Sequence, residues 1–211
     1  MNLQKNDLLV YAITDRSWVG NETLEEQVEQ ALKGGITMLQ LREKDMDYEQ
    51  LKQEAIAIQQ MCRSYQVPFI INDYVRLAKE IGADGVHIGQ SDCSVMEARR
   101  ILGPDIIIGA TAKTVEQALT AQEQGADYLG SGAVFGSNTK KDAKPMEHEL
   151  LQKICEAVTI PVVAIGGING KNVTALKGRG MAGVAVIGGI FGEKDIMSAA
   201  ADLKRKMGQM I

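Results

Sequence analysis

The chain has 211 residues, of which 45% are hydrophobic and 24% charged, a composition typical of a globular protein rather than a disordered one. Its formal net charge of −4 argues against a nucleic-acid-binding face, which needs clustered basic residues. No run of about 18 apolar residues occurs, so no membrane span is expected, and the first residues lack a signal-peptide pattern. Three cysteines without C-x-x-C spacing indicate reduced thiols. We expect one cytoplasmic domain over residues 1–211; a homo-oligomer is compatible with the sequence, which does not indicate the oligomeric state.

Short β-branched runs alternate with longer helix-like segments along the whole chain. Eight runs are strand-like: 8–14, 37–42, 68–72, 85–88, 106–110, 128–132, 161–165 and 183–187. Several are apolar without alternation, as parallel strands covered on both faces are. Eight β/α units in so short a chain predict a single (β/α)8 TIM barrel of the α/β class, with a doubly wound open sheet as the alternative.

The segments between the strands carry helix start and stop signals. Four of them place a capping side chain three residues before Glu or Gln, at Thr23, Asp47, Ser94 and Thr114, the pattern of a capping box. Glycines that predict helix ends follow, at Gly34, Gly82, Gly103, Gly125 and Gly180. A further helix is expected from about Met146.

In a barrel of this kind, chemistry belongs at the carboxyl ends of the strands. Polar residues follow the predicted strands there: Asp15 and Arg16 after the first, Arg42, Glu43 and Lys44 after the second, Asp73 after the third, Asp92 after the fourth, Thr111 after the fifth and Lys140 after the sixth. This distribution predicts one working face.

Two glycine pairs, Gly166–Gly167 and Gly188–Gly189, end the seventh and eighth strands. Barrels commonly bind phosphate through backbone N–H groups of these two loops, and glycine lets a phosphate approach the backbone closely. Either pair alone is equally typical of a tight turn. Their joint occurrence favours a phosphate site.

Asp73 and Asp92 follow neighbouring strands of the predicted barrel. Two carboxylates there suit Mg²⁺, which takes oxygen ligands and bridges substrate phosphates. Both are equally suited to cap the helices that follow, and spacing does not separate the two interpretations. Asp15 is a third acid on this face, able to cap a turn or to pair with Arg16, and Glu43 is placed to neutralise Arg42 or Lys44.

Arg42, Lys44 and Lys140 are expected to converge on the same face. Guanidinium and ammonium groups pair well with a diphosphate. A solvated surface charge is the usual interpretation for a lysine, and it fits less well for Arg42, directly after a buried strand.

The sequence resembles the thiamine phosphate synthase family. The resemblance is carried by QLREKD (40–45), INDYVRLA (71–78), GADGVHIGQSD (82–92), TKKDA (139–143) and AIGGI (164–168). It runs from about Tyr11 to Phe191. The combination of QLREK, ND, GQSD and T-K is specific, whereas AIGGI alone recurs in many phosphate-binding barrels.

The resemblance implies an alkyl transfer between two small-molecule substrates. A pyrimidine diphosphate loses pyrophosphate, and the nitrogen of a thiazole phosphate captures the methylene carbon. By similarity, the pyrimidine diphosphate is held by Gln40, Arg42, Lys44 and Asn72, with Thr111 also in the substrate site. Asp73 and Asp92 hold Mg²⁺, and Lys140 contacts the leaving diphosphate, with Arg42 and Lys44 sharing that catalytic role. The thiazole phosphate is held by Ser137, Thr139, Gly167, Ile187 and Gly188.

This chain departs from the family pattern after the sixth strand. Relatives usually read G-P-x-F/Y-P-T-x-T-K where this chain reads GAVFGSNTK, so Ala133 and Gly136 replace prolines and Ser137 replaces threonine. Thr111 stands where serine is usual and keeps the hydroxyl. Gly188 stands where serine is common and loses a side-chain contact to phosphate. We expect these changes to affect the affinity for the thiazole phosphate more than the reaction.

Two other functions share this barrel. Thiazole tautomerases typically have a histidine at the position of Ala133 and lack the T-K pair, so their proton transfer is not expected here. A non-catalytic sensor of a thiamine precursor tolerates loss of the paired acids and the lysines, all of which this chain retains. Both fit the sequence less well than a synthase does.

Overall fold

Eight parallel strands close into a barrel in the order of the chain. The structure is a computed structural model that describes residues 3–136 and 145–211. The strands are β1 Val10–Ile13, β2 Met38–Leu41, β3 Phe69–Asn72, β4 Gly85–Ile88, β5 Ile107–Thr111, β6 Tyr128–Gly132, β7 Val162–Ile165 and β8 Gly183–Val186. Pairing of β8 with β1, Val10 opposite Val184, closes the ring. The predicted TIM barrel is therefore confirmed, and the open-sheet alternative is wrong.

Helices connect the strands on the outside of the barrel. The α-helices are α1 Leu24–Lys33, α2 Tyr48–Ser64, α3 Val75–Ile81, α4 Val95–Leu102, α5 Val115–Glu123, α6 His148–Ala157, α7 Gly188–Phe191 and α8 Ile196–Met207. The described residues also form three 3-10 turns, at Lys5–Leu8, Arg16–Trp18 and Val173–Leu176. No helix in the described ranges is both long and apolar enough to cross a membrane.

The predicted helix starts depend on short local contacts, and these form. Thr23, Ser94 and Thr114 each accept a hydrogen bond from the backbone N–H three residues later, which satisfies a donor that the helix leaves unpaired. Asp47 also begins a helix, but it accepts from the backbone of Glu49 rather than from the residue predicted for a capping box.

The connection between β7 and β8 differs from the prediction. It forms no α-helix, only the 3-10 turn Val173–Leu176, which ends four residues before Gly180. Gly178 and Gly180 both have positive φ, 80° and 81°, which L-residues rarely adopt. Glycines in this short stretch favour turns over a regular helix. The first strand likewise begins later than predicted, because Leu8 belongs to a 3-10 turn.

The apolar side chains form two clusters, one inside the barrel and one between the barrel and its helices. The inner cluster contains Tyr11, Met38, Ile70 and Tyr128, all nearly inaccessible to solvent. Burying one large aliphatic side chain contributes about 1.5–3 kcal/mol before the entropic cost is counted. These two clusters stabilise the barrel, and the barrel holds the strand ends, where the polar residues lie, in fixed positions.

Candidate active site

A cavity of about 560 Å³ lies beside the ends of β1 and β2 and carries most of the predicted cations. Its lining includes Asp15, Arg16, Arg42, Glu43 and Lys44. It is therefore a strongly charged cavity at the carboxyl ends of the strands. Two of the cations predicted for a diphosphate, Arg42 and Lys44, come together here.

The ion pairs in this cavity differ from those expected. Arg16 donates through Nε to both oxygens of Glu43, each at 3.1 Å, and through Nη2 to Glu54 at 2.7 Å. Glu43 thus pairs with Arg16 and with neither of its sequence neighbours. Arg42 Nη1 lies 3.4 Å from Asp15 Oδ2, so Asp15 pairs with Arg42 and not with Arg16.

The backbone around Arg42 is held from β1. Its N–H donates to the Thr14 hydroxyl at 2.9 Å, and Thr14 is completely buried. Asp15 also accepts from Ser17 N at 3.0 Å, which caps the 3-10 turn Arg16–Trp18. Within residues 3–136 and 145–211 the Arg42 guanidinium makes one long side-chain contact, which leaves most of its donors for a ligand.

Asp73 and Asp92 meet at the ends of β3 and β4, and neither caps a helix. Tyr74 is the N-cap residue of α3 and no side chain caps that helix, whereas the Ser94 side chain caps α4. Asp73 instead accepts from Asn72 Nδ2 at 2.5 Å, and Asp92 accepts from the backbone of Gly89 at 2.7 Å. The capping interpretation is wrong for both acids.

Asp73 sits in an unfavourable environment for a negative charge. Burial, with the neighbouring Asp92 carboxylate second, raises the pKa of Asp73 to about 6, while Asn72 and Lys44 act in the opposite direction. Its backbone φ is 63°, in the left-handed region that non-glycine residues seldom occupy. Two carboxylates forced together are a donor set that a hard cation would neutralise.

The described residues contain no cluster of three or more His, Cys, Asp or Glu side chains able to hold a metal. A Mg²⁺ ion commonly uses only one or two carboxylates and completes its shell with water and substrate phosphates. The Asp73–Asp92 pair fits that pattern. It does not fit a metal held by the protein alone.

A second cavity, of about 280 Å³, lies at the ends of β7 and β8. Its lining includes Trp18, Gly167, Ile187 and Gly188, so three residues predicted for the thiazole phosphate come together here. Gly167 has φ of 64°, and a Cβ there would lie 2.7 Å from Phe135 O. This glycine is therefore required by the tight loop, whatever else its backbone does.

Trp18 packs against the glycine-rich end of β8, which the sequence did not reveal. A Cβ added to Gly188 would lie 3.2 Å from Trp18 Cζ2, and one added to Gly192 would lie 2.9 Å from the same ring. The buried Gln27 holds the turn by donating to Trp18 O at 2.9 Å. The indole thus occupies space beside Gly188.

Polar side chains also cross the barrel beneath these cavities. Gln40 Nε2 donates to the Tyr11 hydroxyl at 2.5 Å, and that hydroxyl lies 2.8 Å from the Tyr128 hydroxyl. His87 then links Tyr128 to Thr111, with 3.1 Å on each side. Two predicted substrate-binding residues, Gln40 and Thr111, are therefore the ends of one hydrogen-bonded chain.

Comparison with known proteins gives this arrangement a family. Residues 10–190 match the sequence pattern of the family described as thiamine monophosphate synthase. The chain belongs to the thiamine monophosphate synthase family. It is thus a transferase of thiamine biosynthesis.

Individual members of the family align over nearly the full length. The chain is 48% identical over 199 residues to the thiamine-phosphate synthase of Ruminiclostridium cellulolyticum, covering 94% of this chain and 95% of that one. It is 44% identical over 197 residues to that of Fusobacterium nucleatum, covering 93% and 96%. The solved thiamine phosphate pyrophosphorylase from Pyrococcus furiosus superposes with a TM-score of 0.91 at 38% identity, covering 98% of each chain.

Part of the residue set inferred from this family lies outside the described ranges. Ser137, Thr139 and Lys140 fall between residues 136 and 145, so their roles stay predictions. Asn72 is described and contacts Asp73. The residues that sequence reasoning missed are Trp18, Tyr11 and Tyr128, together with the role of His87 in linking Tyr128 to Thr111.

Proposed function

We propose that this chain joins 4-amino-5-hydroxymethyl-2-methylpyrimidine diphosphate to hydroxyethylthiazole phosphate, giving thiamine phosphate and pyrophosphate. The observation that carries the proposal is the strand-end face itself, where a charged cavity that contains Arg42 and Lys44, paired carboxylates and a glycine-lined cavity occur on one barrel of this family. With a carboxylated thiazole phosphate, CO₂ is also released.

The reaction breaks one bond and makes another without a protein nucleophile. The C–O bond between the pyrimidine methylene and the diphosphate breaks, and its electron pair leaves with pyrophosphate. The methylene carbon becomes cationic, helped by the ring amino group. The thiazole nitrogen then donates its lone pair to form the C–N bond. Electrostatic stabilisation of the leaving oxygens is the main task of the protein.

The charged cavity supplies that stabilisation. Arg42 and Lys44 line it, and Lys140 is assigned there by similarity. Arg42 has donors to spare because Arg16 takes Glu43, and a guanidinium matches phosphate oxygens in a bidentate manner. We assign Gln40, Asn72 and Thr111 to the pyrimidine diphosphate.

Asp73 and Asp92 are the residues that would hold Mg²⁺. When bound, the ion would neutralise charge on the diphosphate and so favour its departure. The raised pKa of Asp73 beside Asp92 supports this assignment, because the pair gains by acquiring a cation. Lys44 lowers the pKa of Asp73, which keeps more of that carboxylate ionised and able to bind.

The glycine-lined cavity suits the thiazole phosphate. The residues that line it are Gly167, Ile187 and Gly188. Ser137 and Thr139 are assigned to the same substrate by similarity.

The cytoplasm stays our prediction for the location of the protein. The free thiols of Cys62, Cys93 and Cys155 support it.

The decisive experiment incubates the pure protein with both substrates and Mg²⁺ and follows thiamine phosphate by mass spectrometry. We expect product only when both substrates and a divalent metal are present. A sensor would bind the substrates without turnover. Hydrolysis of one substrate without coupling would contradict the synthase assignment, and full activity in excess chelator would contradict the metal assignment.

Replacing Lys140 with alanine should slow the chemical step by about 10²-fold, the scale of one lost electrostatic contact. Negative charge grows on the leaving diphosphate, so the loss appears in the single-turnover rate more than in the KM for thiazole phosphate. Lys141→Ala is the matched control and should be nearly neutral. Equal, small effects of the two substitutions would remove Lys140 from the catalytic set.

The effect of replacing Gly188 with serine on the affinity for the thiazole phosphate should depend on Trp18. Gly188 lacks a positive φ, so its backbone accepts a side chain, but the new Cβ meets the indole at 3.2 Å. We expect Gly188→Ser to be better tolerated in a Trp18→Leu background, with a coupling of about 1 kcal/mol in thiazole phosphate affinity. Calorimetry on the two single variants and the double variant measures this coupling. Strictly additive changes in binding free energy would show that the two residues do not interact.

A further inference from the structure

The hydrogen-bonded chain inside the barrel joins five side chains from five strands. It runs from Gln40 through Tyr11, Tyr128 and His87 to Thr111, on β2, β1, β6, β4 and β5. Tyr11 and Tyr128 are 1% and 0% exposed, and Gln40 is 2% exposed. A polar chain this deep is stabilising only if its members are paired with one another.

The neighbouring backbone is shaped around this chain. A Cβ at Gly109 would lie 2.1 Å from Tyr128 Cζ, and one at Gly130 would lie 3.2 Å from His87 Cε1. Glycine at Gly109 therefore makes room for the phenol ring. Burial raises the pKa of Tyr11 and of Tyr128 well above the ordinary value, so both keep their hydroxyl protons.

The hydroxyl protons can satisfy the chain in one direction. Tyr11 accepts from Gln40 Nε2, so its own proton is free to go to Tyr128, and the Tyr128 proton to His87 Nδ1. In the opposite direction Tyr128 donates to Tyr11, whose own proton then finds no acceptor among the described residues. A buried hydroxyl whose proton has no acceptor destabilises the fold. With the Gln40 amide oriented as in the structure, the first direction is the satisfied one, and the reverse direction would need that amide turned over so that Oε1 faces Tyr11.

This direction fixes what both ends offer to a ligand. With Nδ1 accepting, His87 carries its proton on Nε2 and donates to the Thr111 hydroxyl oxygen. The Thr111 proton is then available to a ligand as a donor. At the other end, Nε2 of Gln40 is committed to Tyr11, which leaves the Oε1 oxygen as an acceptor.

We propose that Tyr11, Tyr128 and His87 are positioning residues that hold Gln40 as an acceptor and Thr111 as a donor for the pyrimidine substrate. This rests on the proposed function. An aminopyrimidine offers both complements, an amino group that donates and ring nitrogens that accept. A fixed acceptor and a fixed donor select for that pattern, and a mismatched ring leaves a polar group unpaired.

The first test needs no substrate. The ¹⁵N chemical shifts of the His87 ring report which nitrogen carries the proton, and a His148→Gln variant assigns the signals because the chain has two histidines. We expect the Nε2–H form. A proton on Nδ1, in the neutral or the doubly protonated ring, would overturn the proposal.

The second test removes one link. Tyr128→Phe should weaken binding of the pyrimidine diphosphate about tenfold by calorimetry, the scale of one lost hydrogen bond, and leave binding of the thiazole phosphate unchanged. Tyr48→Phe is the matched control, since Tyr48 donates its hydroxyl to Glu80 on the surface. It should change neither affinity. A folded Tyr128→Phe protein with both affinities unchanged sinks the proposal, as does an equal loss for both ligands.

If Tyr128→Phe does not fold, Tyr11→Phe breaks the same hydrogen-bonded chain at another link. The affinities for the pyrimidine diphosphate and the thiazole phosphate then test the proposal in the same way. Thr111→Ser, which keeps the hydroxyl, should preserve pyrimidine affinity, whereas Thr111→Val should lose it about tenfold. Equal affinity in the valine variant would also overturn the proposal. A wild-type protein that binds neither substrate would contradict the proposed function, while the ¹⁵N result would still decide the direction of the chain.

Discussion

Replacing Asp73 or Asp92 with asparagine should lower kcat/KM by about 10³-fold while the barrel stays folded. Loss of the proposed metal site would remove several kcal/mol of transition-state stabilisation, and each 1.36 kcal/mol is about tenfold in rate. Asparagine is the right substitution at position 73 because it tolerates the left-handed φ of 63° better than alanine does. Its Oδ1 also still accepts from Asn72.

The same variants have a readout that does not depend on turnover. The pKa of Asp73 is raised to about 6 from its ordinary value of 3.8, so without metal its contribution to stability is lost as the pH rises from about 4 through 6. At pH 7 we therefore expect Asp73→Asn to raise the Tm of the metal-free protein. Mg²⁺ should raise the Tm of the wild type and have little effect on the variant.

The matched control for these substitutions is Asp195→Asn. Asp195 caps α8 by accepting from Ser198 N at 2.9 Å, and asparagine is an equally good cap. It should leave kcat/KM and the Mg²⁺ response unchanged. Near-normal activity of either Asp73→Asn or Asp92→Asn at saturating Mg²⁺ would remove that acid from the metal site.

Replacing Arg42 with alanine should lower the single-turnover rate by 10² to 10³-fold, on the order found for a lost transition-state contact. Arg42 lines the charged cavity, and in the part of the chain that the structure describes its guanidinium makes one side-chain contact, at 3.4 Å to Asp15. Most of its donors are therefore available to the diphosphate of the proposed substrate. The single-turnover rate of Arg42→Lys should fall between those of the wild type and Arg42→Ala, because lysine keeps the charge and loses the bidentate geometry.

Pyrophosphate inhibition provides an independent measure of the same contact. Arg42→Ala should bind pyrophosphate more weakly than the wild type. Arg100→Ala is the control, since Arg100 lies exposed on α4 away from the strand ends. If Arg42→Ala left both the pyrophosphate inhibition constant and the single-turnover rate unchanged, groups other than Arg42 would have to stabilise the leaving oxygens.

The strands and caps were predictable because their signals are local. Each strand lies within two residues of its predicted run, since apolar β-branched runs have few other stable conformations in a barrel. The caps at Thr23, Ser94 and Thr114 need only a side chain and an amide three residues away. The missing helix after β7 shows the limit, because Gly178 and Gly180 act there as turn residues rather than as a helix stop.

The partners within the site were not predictable for a different reason. Arg16 reaches Glu43 and Glu54 across three segments of the chain, so the pairing depends on how those segments pack. The position of Tyr11 and Tyr128 inside the barrel could not be predicted from the sequence either. Strands that are apolar on both faces give no alternation from which to tell the inner face from the outer one.

Trp18 gives the glycine-lined cavity a natural optical probe. It is the single tryptophan of the chain, it lines that cavity, and it is 38% exposed. Its emission therefore reports on one place in the molecule without labelling. A ligand that displaces water from the indole shifts the emission to shorter wavelength. Under the proposed assignment of this cavity, stopped-flow fluorescence would follow the binding of the thiazole phosphate separately from that of the pyrimidine.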